Sequence, residues 1–201
     1  MSTLFNESHR ELQRRFDTER LADRIEQRLC RDQISADDRQ LIERLDMFFL
    51  ATADAAGQPT CSYKGGDPGF VRIIDERTLV FPNYDGNGMY LSMGNLAATT
   101  QVGMLFIDFA KPQRLRVHGR AGIISADAVE PGFTGAQFLV RVAVQQVFPN
   151  CPRYVHAMRE EAPSEFVPRE GQRAPVPKWK RMEWARDVLP AGDPARQPDG
   201  D

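Results

Sequence analysis

The fold is decided by a stretch in the middle of the chain, which reads MFFLATAD at residues 47–54, CSYKGGDPGFVRIID at 61–75 and TLVFPN at 78–83. The pieces are short and rich in aromatic or β-branched residues, and turn-sized gaps with Gly, Pro, Asp or Asn separate them. This pattern is typical of β-strands joined by tight turns. Because a parallel pair of strands needs a crossover of about a dozen residues or more, such short connections predict antiparallel neighbours.

Three longer runs of the same kind follow, at residues 102–109, 114–125 and 138–148. Before the first of them, the segment MYLSMGNLAATT at 89–100 breaks the pattern and is predicted to be helical. We therefore predict a mainly β fold with flanking helices, in which six or seven antiparallel strands and one inserted helix form a small closed or half-closed barrel.

The residues before this stretch predict helices. Apolar residues recur four positions apart among charged ones, as in the series Leu21, Ile25 and Leu29. Ser35 followed by Asp38 forms a loose capping box, which is a signature of a helix N-terminus. We expect two or three N-terminal amphipathic helices whose apolar faces pack against the rest of the protein.

The composition divides the chain into four parts. Residues 1–45 form the helical extension and residues 46–158 the barrel. Residues 159–189 carry both tryptophans of the chain, so we expect this segment to dock onto a surface. Residues 190–201, PAGDPARQPDGD, are predicted to be a disordered tail because they contain few apolar residues to bury.

Composition and charge exclude several functional classes. The 201 residues include 26 Lys and Arg against 28 Asp and Glu, a formal net charge of −2, so the chain lacks the positive field of a nucleic-acid-binding protein. No apolar run approaches the roughly 18 residues of a membrane span. The polar N-terminus predicts no secretory signal, and three widely spaced cysteines predict no disulfide framework. We expect a reduced, cytoplasmic protein.

A glycine-rich loop is the first candidate for ligand binding. The loop YDGNG, residues 84–88, runs directly into the predicted helix. A helix N-terminus that follows flexible backbone offers unpaired N–H groups and the positive end of a dipole, which suits a phosphate. Asn83, Asn87 and Ser92 add side-chain donors. The alternative is that Asp-Gly and Asn-Gly simply form good turns.

Basic side chains on two strands are the second candidate. In RLRVHGRA, the period of two places Arg114, Arg116, His118 and Arg120 on one face, where they attract an anion or form a solvated outer surface. In TCSYK, the polar face that includes Ser62 ends with Lys64, which is either a phosphate-binding charge or a residue that protects a strand edge.

Other kinds of catalytic site receive little support. Cys151 lies in a polar turn with His156 nearby in sequence, but no orienting group is discernible for a catalytic thiol. Three histidines spread over the whole chain do not predict a metal site. We identify no catalytic side chain from the sequence.

Several blocks of the chain, in their order, resemble the flavin-nucleotide-binding proteins related to pyridoxamine 5′-phosphate oxidase. The blocks are MFFLATAD, CSYKGGDPGFVRIID, TLVFPNYDGNGMYLSMGNL, VGMLFIDF, RLRVHGRA and the closing FPNCPRYVH. The resemblance covers residues 21–156 and extends to VPKWKR. It implies an FMN-binding split β-barrel, assembled as a homodimer with two flavin sites at the subunit interface.

The resemblance also implies which residues contact the cofactor. The FMN phosphate and ribityl chain would lie near Lys64 and residues 70–72, the edge of the ring near Asn83, and Trp179 would correspond to a tryptophan that crosses to the other subunit's flavin. With the residues singled out above, the FMN-binding candidates are Ser62, Lys64, Gly65, Gly66, Phe70, Val71, Arg72, Pro82, Asn83, Tyr84, Gly86, Asn87, Gly88, Ser92, Arg114, Arg116, His118 and Trp179.

The chain departs from the oxidases at positions that bind phosphate. Their Ser-Arg-Lys is replaced here by the neutral Asn87 and Ser92 around a longer loop, and their C-terminal Arg-x-His-x-Arg has no counterpart in VPKWKRMEW. We therefore do not expect oxidation of pyridoxamine phosphate, because fold and cofactor transfer between relatives better than substrate does.

The resemblance leaves three hypotheses of function open. The first is an FMN-dependent oxidoreductase that passes electrons from a reduced nicotinamide to a small acceptor or O₂, in which the protein positions the flavin and the flavin performs the chemistry. The second is a flavin carrier or sensor without turnover. The third keeps the barrel but exchanges FMN for a deazaflavin or for haem, with His118 as the haem ligand.

Overall fold

Seven β-strands form the centre of the computed structural model, which describes residues 4–196. They make one sheet in the order β2-β1-β5-β6-β7-β4-β3, and every neighbouring pair is antiparallel. The strands are β1 Met47–Ala53, β2 Pro59–Gly65, β3 Arg72–Asp75, β4 Thr78–Asn83, β5 Gln101–Asp108, β6 Gln113–Ile124 and β7 Phe138–Asn150. The predicted mainly β fold with six or seven antiparallel strands is confirmed, with seven strands present.

Helices precede, interrupt and follow the strands along the chain. Three precede the strands, and the predicted inserted helix lies between β4 and β5. The helices are α1 Glu7–Arg15, α2 Glu19–Leu29, α3 Ala36–Arg44, α4 Leu91–Ala98 and the short α5 Glu183–Arg186, with 3-10 turns at Lys178–Arg181 and Pro194–Arg196.

One face of the sheet carries the hydrophobic core. Phe48 is fully buried and lies 5.0 Å from Phe81, 5.2 Å from Phe106 and 5.9 Å from Phe70, measured between ring centroids. Contacts of this kind between aromatic rings contribute about 0.5–1.5 kcal/mol each beyond the burial of their area. The four rings come from three strands and one loop, so they hold the curled sheet together at its centre.

A short connection joins the two edge strands. β2 lies at one end of the strand order and β3 at the other, and residues 66–71 link them directly. Gly66, Phe70 and Val71 of this link are buried against the core. The sheet is therefore curled into a split barrel, and the buried residues of this link connect its two edge strands.

The N-terminal helices differ in what they bury. The capping box predicted for α3 is confirmed, because the Ser35 side chain accepts from the Asp38 backbone N–H and the Asp38 carboxylate accepts from that of Ser35. Leu41 and Ile42 then place α3 on the core. No residue of α1 or α2 is buried, and Phe16 is 67% exposed. The expectation that their apolar faces pack against the rest of the protein is wrong for the described single chain, because residues 4–196 do not cover those faces.

The C-terminal segment docks onto the barrel as far as the structure describes it. Residues 190–196 were expected to begin the disordered tail, but Asp193 and Ala195 are buried there because Asp193 pairs with the buried Lys180. Residues 197–201 lie outside the described residues. Within residues 4–196, no helix combines the length and the apolar character that a membrane crossing requires.

Candidate functional site

A cavity of about 330 Å³ opens where β2, the end of β4 and the start of α4 meet. Ser62 and Lys64 form the wall on β2, and Asn83 and Tyr84 the wall at the end of β4. The glycine-rich loop and the first turn of α4, residues 86–93, complete it. The predicted loop and the predicted polar face of TCSYK therefore lie in one place.

The strand register explains which side chains of β2 face the cavity. Lys64 lies opposite Phe48 and Ser62 opposite Leu50, and both of these partners are fully buried. Directly opposed residues of antiparallel strands point to the same face of a sheet. Ser62 and Lys64 thus point to the inner face, while the alternate residue Tyr63 is 62% exposed.

Lys64 brings a positive charge into the cavity. Its side chain is half-buried, and among residues 4–196 it forms no ion pair. Burial lowers the pKa of its ammonium below the ordinary value. A partly buried cation without a counter-ion is costly, so this position favours an anionic ligand.

The start of α4 adds hydrogen-bond donors to the same wall. Tyr90 precedes the helix in the left-handed conformation, with φ of 49°, and turns the chain from the loop into the helix. The Ser92 hydroxyl in the first turn lies 2.7 Å from the hydroxyl of Ser62. A helix N-terminus leaves backbone N–H groups without partners in the helix and carries a partial positive charge. The start of α4 is therefore electropositive even though the side chains of its first turn are neutral.

Gln137, from the loop before β7, holds the glycine-rich loop at both ends. Its Oε1 accepts hydrogen bonds from Asn83 Nδ2 at 3.0 Å and from the Tyr90 hydroxyl at 3.1 Å. Its backbone N–H also donates to the carbonyl of Asn83 at 2.9 Å. Sequence analysis missed Gln137 because it is 54 residues from Asn83, and no local pattern in the sequence marks it.

The tyrosine at the start of the loop remains a hydrogen-bond donor. Burial raises the pKa of Tyr84, the charge of Asp67 raises it further, and Arg72 opposes them weakly. The phenol is therefore protonated at neutral pH and able to donate to a ligand at the rim of the cavity.

The structure brings together eight of the predicted site residues and separates the others from the cavity. The eight that line it are Ser62, Lys64, Asn83, Tyr84, Gly86, Asn87, Gly88 and Ser92. Gly65 and Pro82 directly adjoin lining residues along the chain, whereas Gly66, Phe70 and Val71 belong to the link between β2 and β3. Gly66, Phe70, Val71 and Pro82 are buried as part of the fold.

Two predicted arginines are engaged elsewhere in the described chain. Arg72 donates to the carbonyls of Pro131 and Gly132 and lies 3.7 Å from the centroid of the Phe133 ring. Arg114 donates to the carbonyl of Cys151. Neither lines the cavity, because each closes a loop at the end of β6 or β7.

Arg116 and His118 lie on the opposite face of the sheet from Lys64. His118 is paired with Gly103, which is paired with Ala51, so all three share the outer face. His118 lies 3.3 Å from Gln146 Oε1, and burial lowers its pKa despite that hydrogen bond. Within one chain these two basic residues do not reach the cavity.

Trp179 lines a second, larger cavity on the other side of the glycine-rich loop. This cavity measures about 750 Å³ and lies between the loop and the C-terminal segment. Lys180 anchors that segment through contacts of 2.7 Å to both Asp85 and Asp193. This ion cluster was not predicted from the sequence, because Lys180 lies 95 residues from Asp85.

The described residues form neither a reactive-thiol site nor a metal site. Cys151 is exposed and outside both cavities, and hydrogen bonds from Arg153 lower the pKa of its thiol. Across residues 4–196, no group of three or more His, Cys, Asp or Glu is arranged to hold a metal ion.

A family profile matches the stretch of the chain that forms the barrel. The profile of the pyridoxamine 5′-phosphate oxidase family matches residues 34–168, about two thirds of the chain. No curated protein matches it.

Several solved structures are similar to part of the chain. One, described as a candidate pyridoxamine 5′-phosphate oxidase from Lactobacillus delbrueckii, is 21% identical, with 59% of this chain and 95% of that chain covered and a TM-score of 0.47. An FMN-binding protein from Syntrophomonas wolfei is 14% identical, covers 70% of this chain and 96% of its own, and has a TM-score of 0.42. The haem storage protein HutZ from Vibrio cholerae is 16% identical, covers 58% and 94%, and has a TM-score of 0.40.

The family match spans α3, the whole seven-stranded sheet and α4, including the cavity-lining residues. The chain therefore belongs to the pyridoxamine 5′-phosphate oxidase family and has a split β-barrel fold.

Proposed function

We propose that this protein binds FMN in the cavity between β2 and α4, and that it is a flavin-dependent oxidoreductase. It would transfer electrons from a reduced nicotinamide to a small acceptor or O₂. The observation that carries the proposal is Lys64, a half-buried cation that forms no ion pair within residues 4–196 and that lines a cavity at a helix N-terminus.

The residues present fit the phosphate of FMN. Lys64 supplies the charge, the Ser62–Ser92 hydroxyl pair supplies one free O–H donor, and the first turn of α4 supplies backbone N–H groups. Hydrogen bonds to charged groups contribute about 1.5–3 kcal/mol each. The neutral Asn87 and Ser92 that replace the oxidases' basic residues are thus compensated by Lys64 and by the helix.

The loop side of the cavity fits the rest of the cofactor. Tyr84 is protonated and offers a donor at the rim, and the side chains of Asn83 and Tyr90 are fixed by Gln137. When bound, the flavin supplies the hydride and electron transfer itself. The protein's part is to position the ligand and to exclude water.

The arrangement supports a homodimer as the functional unit. Arg116 and His118 lie on the outer face, opposite Lys64. They approach a flavin only when that face lies against the cavity of a second copy. We therefore propose that the cofactor lies between two protomers and that Arg116 and His118 contact it from the partner.

The first test is the identity of the ligand. The purified protein is denatured and the released small molecule is analysed by mass spectrometry. We expect FMN, with a flavin absorbance in the native protein that a reductant bleaches. Release of a deazaflavin or of haem would show that this molecule, and not FMN, is the cofactor. A colourless protein that does not bind added FMN would refute the proposal.

The second test separates phosphate binding from ring binding. We expect Lys64→Gln to weaken FMN binding about 10- to 100-fold, as loss of one charged hydrogen bond predicts. Its affinity for riboflavin, which lacks the phosphate, should not change. The control is Lys178→Gln at an exposed lysine. Equal loss of both ligands in Lys64→Gln would contradict a phosphate contact.

Turnover distinguishes the enzyme from a carrier. The side chains that line the cavity include no Asp, Glu, His or Cys, which also suits a protein that only holds flavin. Consumption of NADH or NADPH by the FMN-bound protein with O₂ or a small acceptor would identify an oxidoreductase. Tight FMN binding without consumption would identify a carrier.

A further inference from the structure

We propose that the second cavity is a binding site for an uncharged planar aromatic molecule that bears a carbonyl group, as quinones do. The inference goes beyond the proposed function and does not require FMN in the first cavity. The two cavities share the loop residues 86–90, so ligands in both would lie on opposite sides of one loop.

The size and the apolar walls of the cavity point to an aromatic ligand. Its volume of about 750 Å³ falls in the range of small-molecule sites. Trp179 and Trp184 stack on each other, with ring centroids 6.0 Å apart and an angle of 16° between the ring planes, and both line the cavity. Trp184 is 68% exposed and Val188 is 75% exposed. Apolar surface of this kind, left open beside a cavity, favours a flat apolar ligand.

The charges of the cavity select against an anion. Lys180, Asp85 and Asp193 are its only charged lining residues, and one ammonium against two carboxylates leaves a net charge of −1. Lys180 Nζ lies 2.7 Å from a carboxylate oxygen of each Asp. Lys180 engages one oxygen of each carboxylate, so neither Asp is an unpaired anion in the lining, although Asp85 remains 66% exposed.

One side chain suits a carbonyl group. Gln137 lines the cavity, and its Oε1 already accepts two hydrogen bonds, from Asn83 and from Tyr90. This leaves the Nε2 group of Gln137 as the donor for a ligand carbonyl. An uncharged ring system with a carbonyl therefore matches the walls, the charge and the donor of the cavity.

The two tryptophans provide a selective readout. The chain contains two tryptophans in all, and both line this cavity. Quenching of tryptophan emission, corrected for absorption by the probe, therefore reports on this site. The probe is 2-methyl-1,4-naphthoquinone, and its anionic counterpart is 1,4-naphthoquinone-2-sulfonate. We expect saturable quenching by the first and at least tenfold weaker binding of the second.

Two variants and one control test the location. Gly192 lines the cavity and has open space where a side chain would begin, so Gly192→Phe should occupy the cavity and weaken binding at least tenfold. Val188→Lys at an exposed position would bring the net charge to zero, and binding of the sulfonate should then approach that of the neutral quinone. Gly122→Phe, at an exposed and open position on β6 outside the cavity, should bind as the unchanged protein does.

Saturable binding that follows charge and is lost in Gly192→Phe supports the site. Quenching that rises linearly without saturation, equal binding of both quinones, or unchanged binding in a folded Gly192→Phe would overturn it. Lys64 does not line this cavity, so the FMN and riboflavin measurements succeed or fail independently.

Discussion

Gly66 lies directly after β2, with its backbone close to the ring of Phe70. A Cβ atom at this position would lie 2.5 Å from Cγ and 2.6 Å from Cβ of Phe70. Phe70 is 5% exposed and stacks on Phe48, so it has no room to retreat. The second glycine of the Gly-Gly pair is thus explained by packing, without any ligand.

We expect Gly66→Ala to lower the free energy of unfolding by about 1–3 kcal/mol, the usual cost of overpacking a core. Gly65→Ala is the matched control, because its Cβ would meet only the far end of the flexible Tyr63 side chain, where a small rotation relieves the contact. Urea denaturation of the two variants measures the difference. Similar stability of both would show that Phe70 yields more easily than the structure indicates.

His118 gives the stability a pH dependence near neutrality. Burial lowers its pKa below the ordinary value of 6.5, and the hydrogen bond with Gln146 opposes this only in part. The unfolded chain therefore takes up a proton at a higher pH than the folded chain, so stability is lost as pH falls below 6.5.

We expect His118→Gln to show a smaller loss of stability than the unchanged protein between neutral pH and pH about 5. The measurement is the melting temperature across this range. The control is His156→Gln at an exposed histidine, which should keep the original slope. A slope unchanged in His118→Gln would assign the dependence to other groups.

Single residues of the cavity differ in how far the sequence predicts them. Ser62 and Lys64 follow from the period of two in a strand, and the loop follows from its glycines. Gln137 and Lys180 do not, because Gln137 bonds to residues 47 and 54 positions away, and Lys180 connects Asp85, 95 positions away, with the nearer Asp193. Arg72 and Arg114 were predicted as ligands from the resemblance, but carbonyls of nearby loops engage them.

At the scale of elements, the C-terminal segment depends on one buried cation. The side chains of Lys180 and Asp193 are each only 6% exposed. Burial lowers the pKa of Lys180 and raises that of Asp193. The contacts of Lys180 with Asp193 and Asp85 together outweigh burial and raise the pKa of Lys180, while Lys180, the Ala195 N–H and Arg196 together lower the pKa of Asp193. The contact therefore stabilises the segment above pH 3.8 and below pH 10.5, and is lost as pH passes beyond either shifted pKa.

We expect Lys180→Met to release residues 178–196 from the glycine-rich loop, because it leaves Asp193 buried without a cation. Breaking a buried pair in this way costs about 3–5 kcal/mol. Hydrogen exchange should become faster in this segment and remain slow in β5 and β6. Lys178→Met, at the exposed neighbouring lysine, should behave as the unchanged protein. Protection retained in Lys180→Met would show that the apolar contacts alone hold the segment.

Local sequence patterns were sufficient to predict where the helices form, but not which of their faces are buried. The capping box of α3 and the helix α4 formed as predicted, since both depend on residues close in sequence. The apolar stripes of α1 and α2 predicted helices correctly but not burial, because burial depends on what lies opposite a helix. Leu12, Leu21 and Ile25 are 54%, 59% and 42% exposed in the described chain.

At the scale of the whole molecule, the outer face of the sheet presents a row of apolar residues. Tyr63, Phe49 and Leu105 are paired in register across β2, β1 and β5, and Tyr63 is 62% exposed. Arg116 continues the same row on β6. This face is where we place the second protomer of the proposed homodimer.

We expect Phe49→Lys to weaken the dimer at least tenfold, because it places a charge in the middle of this row. Analytical ultracentrifugation over a range of concentrations measures the dissociation constant. Ile74→Lys, at an exposed apolar residue on β3, is the control and should dimerise normally. A monomeric unchanged protein, or a dimer unaffected by Phe49→Lys, would contradict this interface.

The link from Gly65 to Arg72 also determines the curvature of the whole sheet. Seven flat strands spaced by about 4.8 Å would place the outermost two roughly 29 Å apart. The seven residue steps of the link span at most roughly 25 Å when fully extended. A flat arrangement is therefore out of reach of the chain's own covalent length. Rolling is built into the connectivity, and Phe70, held inside the roll by that tether, seals the space that the rolling creates.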